Sequence, residues 1–281
     1  MRHLIRLFTS LLLAAISGCV GVPEAICRID IQPMSPLPGP LAADFSQVPR
    51  QNIDRQQSAW QLLEAAGCDS LDREPLAGSR YANIVCQIDG SLSDYILVGA
   101  HHDRTGAGRG VVDNWTGVEI LAALARYHAE QRPVHTLRFV AFAQEELDLD
   151  GARQHLRQLR KEHQPLPRVM VNIDTIGLDS LAVDRRGDHS LNCLAESLAV
   201  TQGEELRQTR IRDMTGDWVP FRYAGVPVIS FHSLNAGDMS SLHTFRDRES
   251  LLNRSLLESS YQVIAQTLSA IDYAVDLTVR N

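Results

Sequence analysis

YILVGA (residues 95–100) is an uninterrupted apolar run that leads directly into HHD (residues 101–103). Such a run, without polar alternation, is typical of a central strand that is buried on both faces of a parallel sheet. A second run, VHTLRFVAFA (residues 134–143), ends just before the pair EE at residues 145–146. The sequence therefore predicts a buried sheet whose carboxyl edge carries ionisable side chains.

The rest of the body alternates between helical and strand-like patterns. We predict helices at 52–66, 114–130, 151–161, 191–200 and 250–275, and further strands at 81–89, 168–173 and 226–231. This alternation predicts an α/β fold with three layers, in which a central, mostly parallel mixed sheet is covered by helices on both faces. Because no linker signal interrupts it, we assign residues 49–281 to a single domain.

The composition limits the possible functions. The chain has 281 residues, of which 44% are hydrophobic and 22% charged, and its net charge is −7. These values exclude a disordered or collagen-like chain. An acidic chain is also a poor binder of phosphate backbones, so we expect no nucleic-acid partner.

Residues 1–18 have the features of an export signal. Their apolar run, residues 7–16, is about half as long as a membrane span requires. The segment ends in ISGC and resembles a bacterial lipobox, which predicts a lipid on Cys19 and a lipoprotein of the cell envelope. Because Val20 follows the cysteine, we expect an outer-membrane protein that faces the periplasm. Cleavage near Ala25 without lipidation is the alternative.

Residues 19–48 contain closely spaced prolines and predict an anchor followed by an extended arm. The other cysteines are Cys27, Cys68, Cys86 and Cys193. An even number in an exported chain permits disulfides. Cys68 and Cys86 flank a turn signal and can face each other across a hairpin, either as a disulfide or as two buried thiols.

Seven acidic or imidazole side chains follow predicted strands or lie in nearby loops. They are His101, Asp103, Asp113, Glu145, Glu146, Asp174 and His243. Sites in open α/β sheets form at the carboxyl ends of strands, so we expect these groups to converge. Carboxylates in such proximity need a compensating cation, and nitrogen with oxygen ligands suits zinc. Because five ligands exceed what one catalytic zinc takes, we predict two ions that share a carboxylate.

The order of these motifs resembles metallopeptidase family twenty-eight, the co-catalytic zinc aminopeptidases. The motifs are HHD (101–103), DNWTG (113–117), EE (145–146) with GA (151–152), NID (172–174) and HTFRD (243–247). Two departures are Ala152, where the family usually has serine, and GDW at 216–218, where many members have Ser-Asp-His. The resemblance implies a fold like that of zinc-dependent exopeptidases.

The resemblance also implies the ligands of the two zinc ions. Asp113 is expected to bridge both, with His101 and Asp174 on one ion and Glu146 and His243 on the other. It further implies a cis peptide bond after the bridging aspartate.

Two carboxylates have implied roles other than metal binding. Asp103 is expected to hold His101 through its second ring nitrogen, and Glu145 to act as general base for a metal-activated water. The implied reaction is hydrolysis of an N-terminal peptide bond, with a free N-terminus on the substrate. We expect the side-chain pocket between residues 233 and 242 and from 218 to 223, with a mild preference for apolar residues.

Two other functions remain open. Glutaminyl-peptide cyclases share this fold and similar motifs, generally with one zinc and a tryptophan-lined pocket, and Trp115 and Trp218 lie near the predicted site. A non-catalytic lipoprotein binding module is the second alternative, although such relatives typically lose ligands or the base. Of the other histidines, His232 is the strongest candidate for the site, because it follows a predicted strand.

Overall fold

The computed structural model describes residues 37–211, 215–235, 237 and 240–273. The signal segment, Cys19 and Cys27 lie outside the described residues. The described helices are α1 (Asn52–Ala66), α2 (Thr116–Gln131), α3 (Asp150–Lys161), α4 (His189–Thr201), α5 (Trp218–Tyr223) and α6 (Arg254–Tyr273). None of them is long and apolar enough to cross a bilayer.

Eight strands form one mixed sheet. They are β1 (Ser70–Pro75), β2 (Ala82–Ile88), β3 (Leu92–His101), β4 (His135–Phe142), β5 (Val169–Ile173), β6 (Ala182–Asp184), β7 (Arg207–Thr209) and β8 (Val228–His232). Their order is β1-β2-β4-β3-β5-β8-β6-β7. The central neighbours β4, β3, β5 and β8 are parallel, and the antiparallel pairs lie toward the edges.

Side chains of the sheet alternate between two apolar layers. On β3, Ile96 and Val98 belong to the larger core, which α1, α2, α4 and α6 cover. Tyr95 and Leu97 point to the other face, where α3 and α5 contribute Leu156 and other apolar side chains. Alternation with period two on a strand that is apolar throughout produces these two layers. The predicted three-layer α/β architecture is confirmed.

The structure corrects several predicted boundaries. α2 begins at Thr116 instead of residue 114, because Asp113 and Asn114 have non-helical backbone angles. The closing helix begins at Arg254 instead of residue 250, after Asn253, whose side chain accepts hydrogen bonds from the first-turn N–H groups. The patterns also missed β1, β6, β7 and α5. β6 and β7 have three residues each, too few to show a period.

The segment before α1 packs against the domain. Phe45 and Val48, which the sequence analysis assigned to the arm, are buried in the larger core. The backbone N–H of Leu41 donates to the carboxylate of Glu258 on α6, at 2.9 Å. The described part of the arm is therefore held by both apolar and polar contacts.

Cys68 and Cys86 form a disulfide, the first of the two possibilities considered from the sequence. Cys86 lies on β2, opposite Leu71 of β1, and Cys68 lies two positions before Ser70, the first residue of β1. The bond ties the end of α1 to the sheet.

Candidate active site

The parallel strands bring parts of the chain that are distant in sequence to one edge of the sheet. β3 ends in His101, β5 ends one residue before Asp174, and β4 leads into the turn that contains Glu145 and Glu146. These strands are neighbours, so their carboxyl ends meet at the same edge. His243 reaches the edge from a loop beyond β8.

Five of the predicted residues form two groups that share one member. In the first group, His101 Nε2 lies 3.2 Å from Asp113 Oδ1 and 3.6 Å from Asp174 Oδ1. In the second, His243 Nε2 lies 3.0 Å from Asp113 Oδ2 and 3.0 Å from Glu146 Oε2. Asp113 thus offers a different oxygen to each group.

The two groups suit divalent metal ions. Within each group the three candidate ligand atoms lie within 4.8 Å of one another. Each consists of one imidazole nitrogen and two carboxylate oxygens, a donor set that zinc accepts. Glu146 Oε1 is buried and lacks a hydrogen-bond partner among the described residues, as expected of an oxygen whose partner is an ion. The residues present therefore fit a pair of zinc ions.

A tight loop before α2 positions Asp113. The Asp113–Asn114 peptide bond is cis, as the resemblance implied. The carboxylate of Asp247 accepts hydrogen bonds from three successive backbone N–H groups of this loop, those of Val111, Val112 and Asp113, at 3.0, 2.8 and 3.3 Å. Asp247 therefore fixes the backbone that carries the shared ligand.

Asn114 connects the same loop to β5. Its amide nitrogen donates to the carbonyl of Ile173 at 2.9 Å. Its amide oxygen accepts from the N–H groups of Thr175 and Gly117, both at 3.1 Å. Because Ile173 and Thr175 flank Asp174, one side chain sets the spacing between two candidate ligands.

Asp103 organises the turn after β4. Its carboxylate accepts hydrogen bonds from the backbone N–H groups of Glu145 and Glu146, at 3.0 and 3.3 Å. His101 Nδ1 lies 3.2 Å from the Asp103 carbonyl oxygen and 3.6 Å from its carboxylate Oδ1. The second ring nitrogen of His101 thus faces Asp103, and the carboxylate of Asp103 also orients the Glu145–Glu146 turn.

Glu145 lies beside both groups but belongs to neither. Burial raises its pKa well above the ordinary value; the positive charge of His101 opposes this shift, and the carboxylates of Asp217, Asp174 and Asp113 add to it. A carboxyl group that holds a proton more tightly is a better proton carrier near neutral pH.

Asp217 is a residue that the sequence reasoning did not assign to the site. It is 1% exposed, and its Oδ1 has no hydrogen-bond partner among the described residues. Burial raises its pKa well above the ordinary value, and the nearby carboxylates of Asp103 and Asp174 add to this effect. The sequence signal that could have identified it is its position in GDW (216–218), where many members of the family have Ser-Asp-His.

Other candidates lie outside the two groups. His232 is fully buried; its Nε2 is 2.9 Å from the hydroxyl of Thr209 and its Nδ1 accepts from the N–H of Leu234. Trp115 is buried and donates through Nε1 to Glu119. Trp218 is buried in the smaller core.

A cavity of about 350 Å³ opens onto the two groups. Its described lining comprises Asp113, Glu145, Glu146, Asp148, Leu149, Arg153, Asp174, Thr175, Thr215, Val219, Leu234, Leu242 and His243. Val219, Leu234 and Leu242 come from the two segments that the sequence analysis expected to form the side-chain pocket. They give part of the cavity lining an apolar character.

Comparison with known proteins identifies the family. The sequence profile of peptidase family M28 matches residues 83–268, more than half of the chain. A protein of Pyrenophora tritici-repentis (strain Pt-1C-BFP), described as a probable zinc metalloprotease, is 32% identical over 139 residues, or 46% of this chain and 32% of that protein. The chain therefore spans about a third of the length of this curated relative.

Solved structures show the same fold at low sequence identity. The LapA aminopeptidase of Legionella pneumophila superposes with a TM-score of 0.69 and 18% identity, over 79% of this chain and 64% of that chain. The glutaminyl cyclase of Porphyromonas gingivalis superposes with a TM-score of 0.65 and 16% identity, over 76% of this chain and 88% of that chain. Because one fold appears in both a peptidase and a cyclase, function must be argued from the site.

Proposed function

We propose that this chain, which belongs to peptidase family M28, is an aminopeptidase that hydrolyses the N-terminal peptide bond of its substrate with two zinc ions. The observation that carries this proposal is the pair of ligand groups joined through the two oxygens of Asp113. His101 and Asp174 would complete one ion, and Glu146 and His243 the other. Bound zinc polarises a carbonyl as a Lewis acid and lowers the pKa of a water ligand to about 7.

Glu145 is the proposed general base and acid. It takes a proton from the attacking water, whose oxygen bonds to the scissile carbonyl carbon. When the carbon–nitrogen bond breaks, Glu145 returns the proton to the departing amine. Asp103 orients it through the hydrogen bond from the Glu145 N–H.

The cavity supports a substrate that enters by its end. Its volume of about 350 Å³ is at the lower end of the usual range for ligand pockets. Such a space suits the terminal part of a peptide. The apolar side chains of Val219, Leu234 and Leu242 in the lining favour an apolar N-terminal residue.

The alternatives have less support. A cyclase with a tryptophan-lined pocket would need an indole at the cavity. Neither Trp115 nor Trp218 is among the described lining residues of the cavity. A non-catalytic binding module would not require the seven acidic and imidazole groups to be present together.

Replacing Glu145 tests the proposal. Glu145→Gln removes the proton carrier but no proposed ligand, so the variant should bind two zinc ions per chain and lose about 10²–10⁴-fold in kcat on leucine p-nitroanilide. Zinc is measured by elemental analysis, and Glu162→Gln, on the exposed surface after α3, is the control. Full activity of Glu145→Gln would refute the assignment. If the wild-type enzyme released ammonia from a peptide with N-terminal glutamine and did not hydrolyse leucine p-nitroanilide, it would be a cyclase instead.

We also propose that the exported protein is anchored in the outer membrane through a lipid on Cys19 and faces the periplasm. The support is the sequence of residues 1–20 alone. One acyl chain binds a membrane marginally, whereas several chains hold a protein firmly. Cys19→Ser should therefore move the protein from the membrane fraction to the soluble fraction, and retention in the membrane would contradict the proposal.

A further inference from the structure

Arg153 lies in the wall of the cavity on the side of Glu145. It is in the first half of α3, and among the described lining residues it is the only arginine or lysine. Leu149 and Asp148 form the wall beside it. No role in the proposed hydrolysis has been given to this cation.

Backbone hydrogen bonds fix Arg153 relative to the general base. The N–H of Leu149 donates to the carbonyl of Glu145 at 2.9 Å, and the N–H of Arg153 donates to the carbonyl of Leu149 at 2.9 Å. A further bond, from the Asp150 N–H to the Gln144 carbonyl at 3.0 Å, closes the same turn. Arg153 is therefore carried by the rigid continuation of the segment that positions Glu145.

The guanidinium of Arg153 is available to a ligand. It forms an ion pair with Asp148, at 3.1 Å, and the two side chains are 46% and 83% exposed. An ion pair this exposed contributes little to stability, so exchanging Asp148 for a carboxylate of a ligand costs little. The planar fork of arginine is also suited to two-point binding of a carboxylate.

The chemistry of the reaction determines which part of the substrate reaches this wall. Because Glu145 returns a proton to the departing amine, the leaving peptide extends on the side of Glu145. One or two extended residues span roughly 3.5–7 Å. Because Leu149 and Arg153 follow Glu145 along the cavity lining, we expect a carboxylate on the first or second residue of the leaving peptide to reach Arg153.

We propose that Arg153 binds a carboxylate of the leaving peptide and so selects short or acidic substrates. The carboxylate belongs either to the C-terminus of a dipeptide or tripeptide or to an acidic side chain just after the scissile bond. This inference rests on the proposed aminopeptidase function, because that function sets the direction of the substrate.

Kinetics with matched substrates test the inference. Leu-Ala carries a terminal carboxylate, Leu-Asp-amide a side-chain carboxylate, and Leu-Ala-amide neither. For Arg153→Ala, we expect KM to rise about tenfold for at least one carboxylate substrate and to stay unchanged for Leu-Ala-amide, with Arg153→Lys recovering part of the loss. The substrate that is affected identifies the source of the carboxylate.

Arg157→Ala is the matched control. Arg157 lies one turn further along α3, pairs with Asp150 at 3.7 Å, and is not among the described lining residues. It should leave all three KM values unchanged. An equal loss on all three substrates in Arg153→Ala would show a structural role, and no loss on either carboxylate substrate would show no contact; both results overturn the inference.

Binding to an inactive variant separates the two proposals. In Glu145→Gln, calorimetry measures the Kd of Leu-Ala and of Leu-Ala-amide, with and without Arg153→Ala. If the wild-type enzyme hydrolyses no substrate but Leu-Ala binds about tenfold more tightly through Arg153, the proposed function fails and the carboxylate site stands. If hydrolysis occurs with no dependence on Arg153 in either assay, the function stands and the inference fails.

Discussion

The two halves of the candidate metal site share Asp113 but are built in different ways. His101 ends β3 and Asp174 follows the adjacent parallel strand β5, and both residues are buried. Glu146 lies in a turn, and His243 lies in a loop with its side chain 54% exposed. One half is part of the sheet edge, whereas the other is assembled from two loops.

This difference concerns how much of the geometry exists before an ion binds. In the buried half, Asn114 and Asp103 hold the ligands through hydrogen bonds to backbone and ring atoms. In the open half, His243 contacts the other two proposed ligands, Asp113 and Glu146, directly. We infer that the buried half binds zinc more tightly and that the open half is the side from which substrate and solvent enter.

The largest effect on zinc content and activity is expected when one imidazole is removed from each half of the site. We expect His243→Ala to retain about one zinc per chain and His101→Ala to lose the tightly held ion, with both losing most activity. Zinc stoichiometry after dialysis against a weak chelator is the measurement. Equal loss of both ions in the two variants would show that the halves do not differ in affinity.

A smaller effect, on zinc affinity, is expected from replacing Asp247, which holds the loop that carries the shared ligand Asp113. Asp247→Asn weakens the acceptor for three backbone N–H groups, so zinc affinity should fall about 10–100-fold. Competition with a fluorescent chelator measures it.

Asp272→Asn is the matched control for Asp247→Asn. Asp272 is equally buried and accepts from the N–H groups of Val134 and His135, at 3.0 and 2.7 Å, at the opposite end of β4. Each substitution should cost about 1–3 kcal/mol of unfolding free energy. If zinc affinity falls equally in both variants, Asp247 acts only through general stability.

A buried imidazole outside the site shows what the neighbouring carboxylates do to the pKa of His101. His128 and His101 are both buried imidazoles. Burial lowers the pKa of His128 to about 4. For His101, burial acts in the same direction, but nearby carboxylates outweigh it and raise the pKa well above the ordinary value.

His128 should therefore make the fold sensitive to acid. Between pH 6.5 and 4 the unfolded chain binds a proton at His128 that the folded chain does not, so the free energy of unfolding falls as pH decreases. The loss is about 3 kcal/mol between pH 7 and 4. Guanidinium denaturation at both pH values should show a loss that is about 3 kcal/mol smaller in His128→Leu than in wild type, because other buried groups, such as His102 and His232, titrate in both proteins. An equal pH dependence in both would contradict it.

Much of the site was predictable because its residues follow strands. An apolar run that ends in an ionisable residue marks the end of a parallel strand, and the ends of neighbouring parallel strands meet. For His101 and Asp174 this reasoning requires only local patterns. The structure brings them together with Asp113, Glu146 and His243, as expected.

The supporting residues were less predictable. Asp247 was part of a quoted motif, but its three hydrogen bonds depend on contact with a loop more than 130 residues away in sequence. Asp217 and Arg153 gave no periodic signal, because one is a single buried polar group and the other is a helix residue that faces a cavity.

Local patterns of apolar and ionisable residues were thus sufficient for the layers of the fold, the central strands and the set of candidate ligands. Hydrophobic periodicity and strand ends are properties of short segments, so they can be read without knowing what packs where. Contacts between distant segments decide which oxygen of Asp113 faces which ligand group. They also decide how the buried and open halves of the site differ and which residues line the cavity. These depend on how the layers pack, and no short segment contains that information.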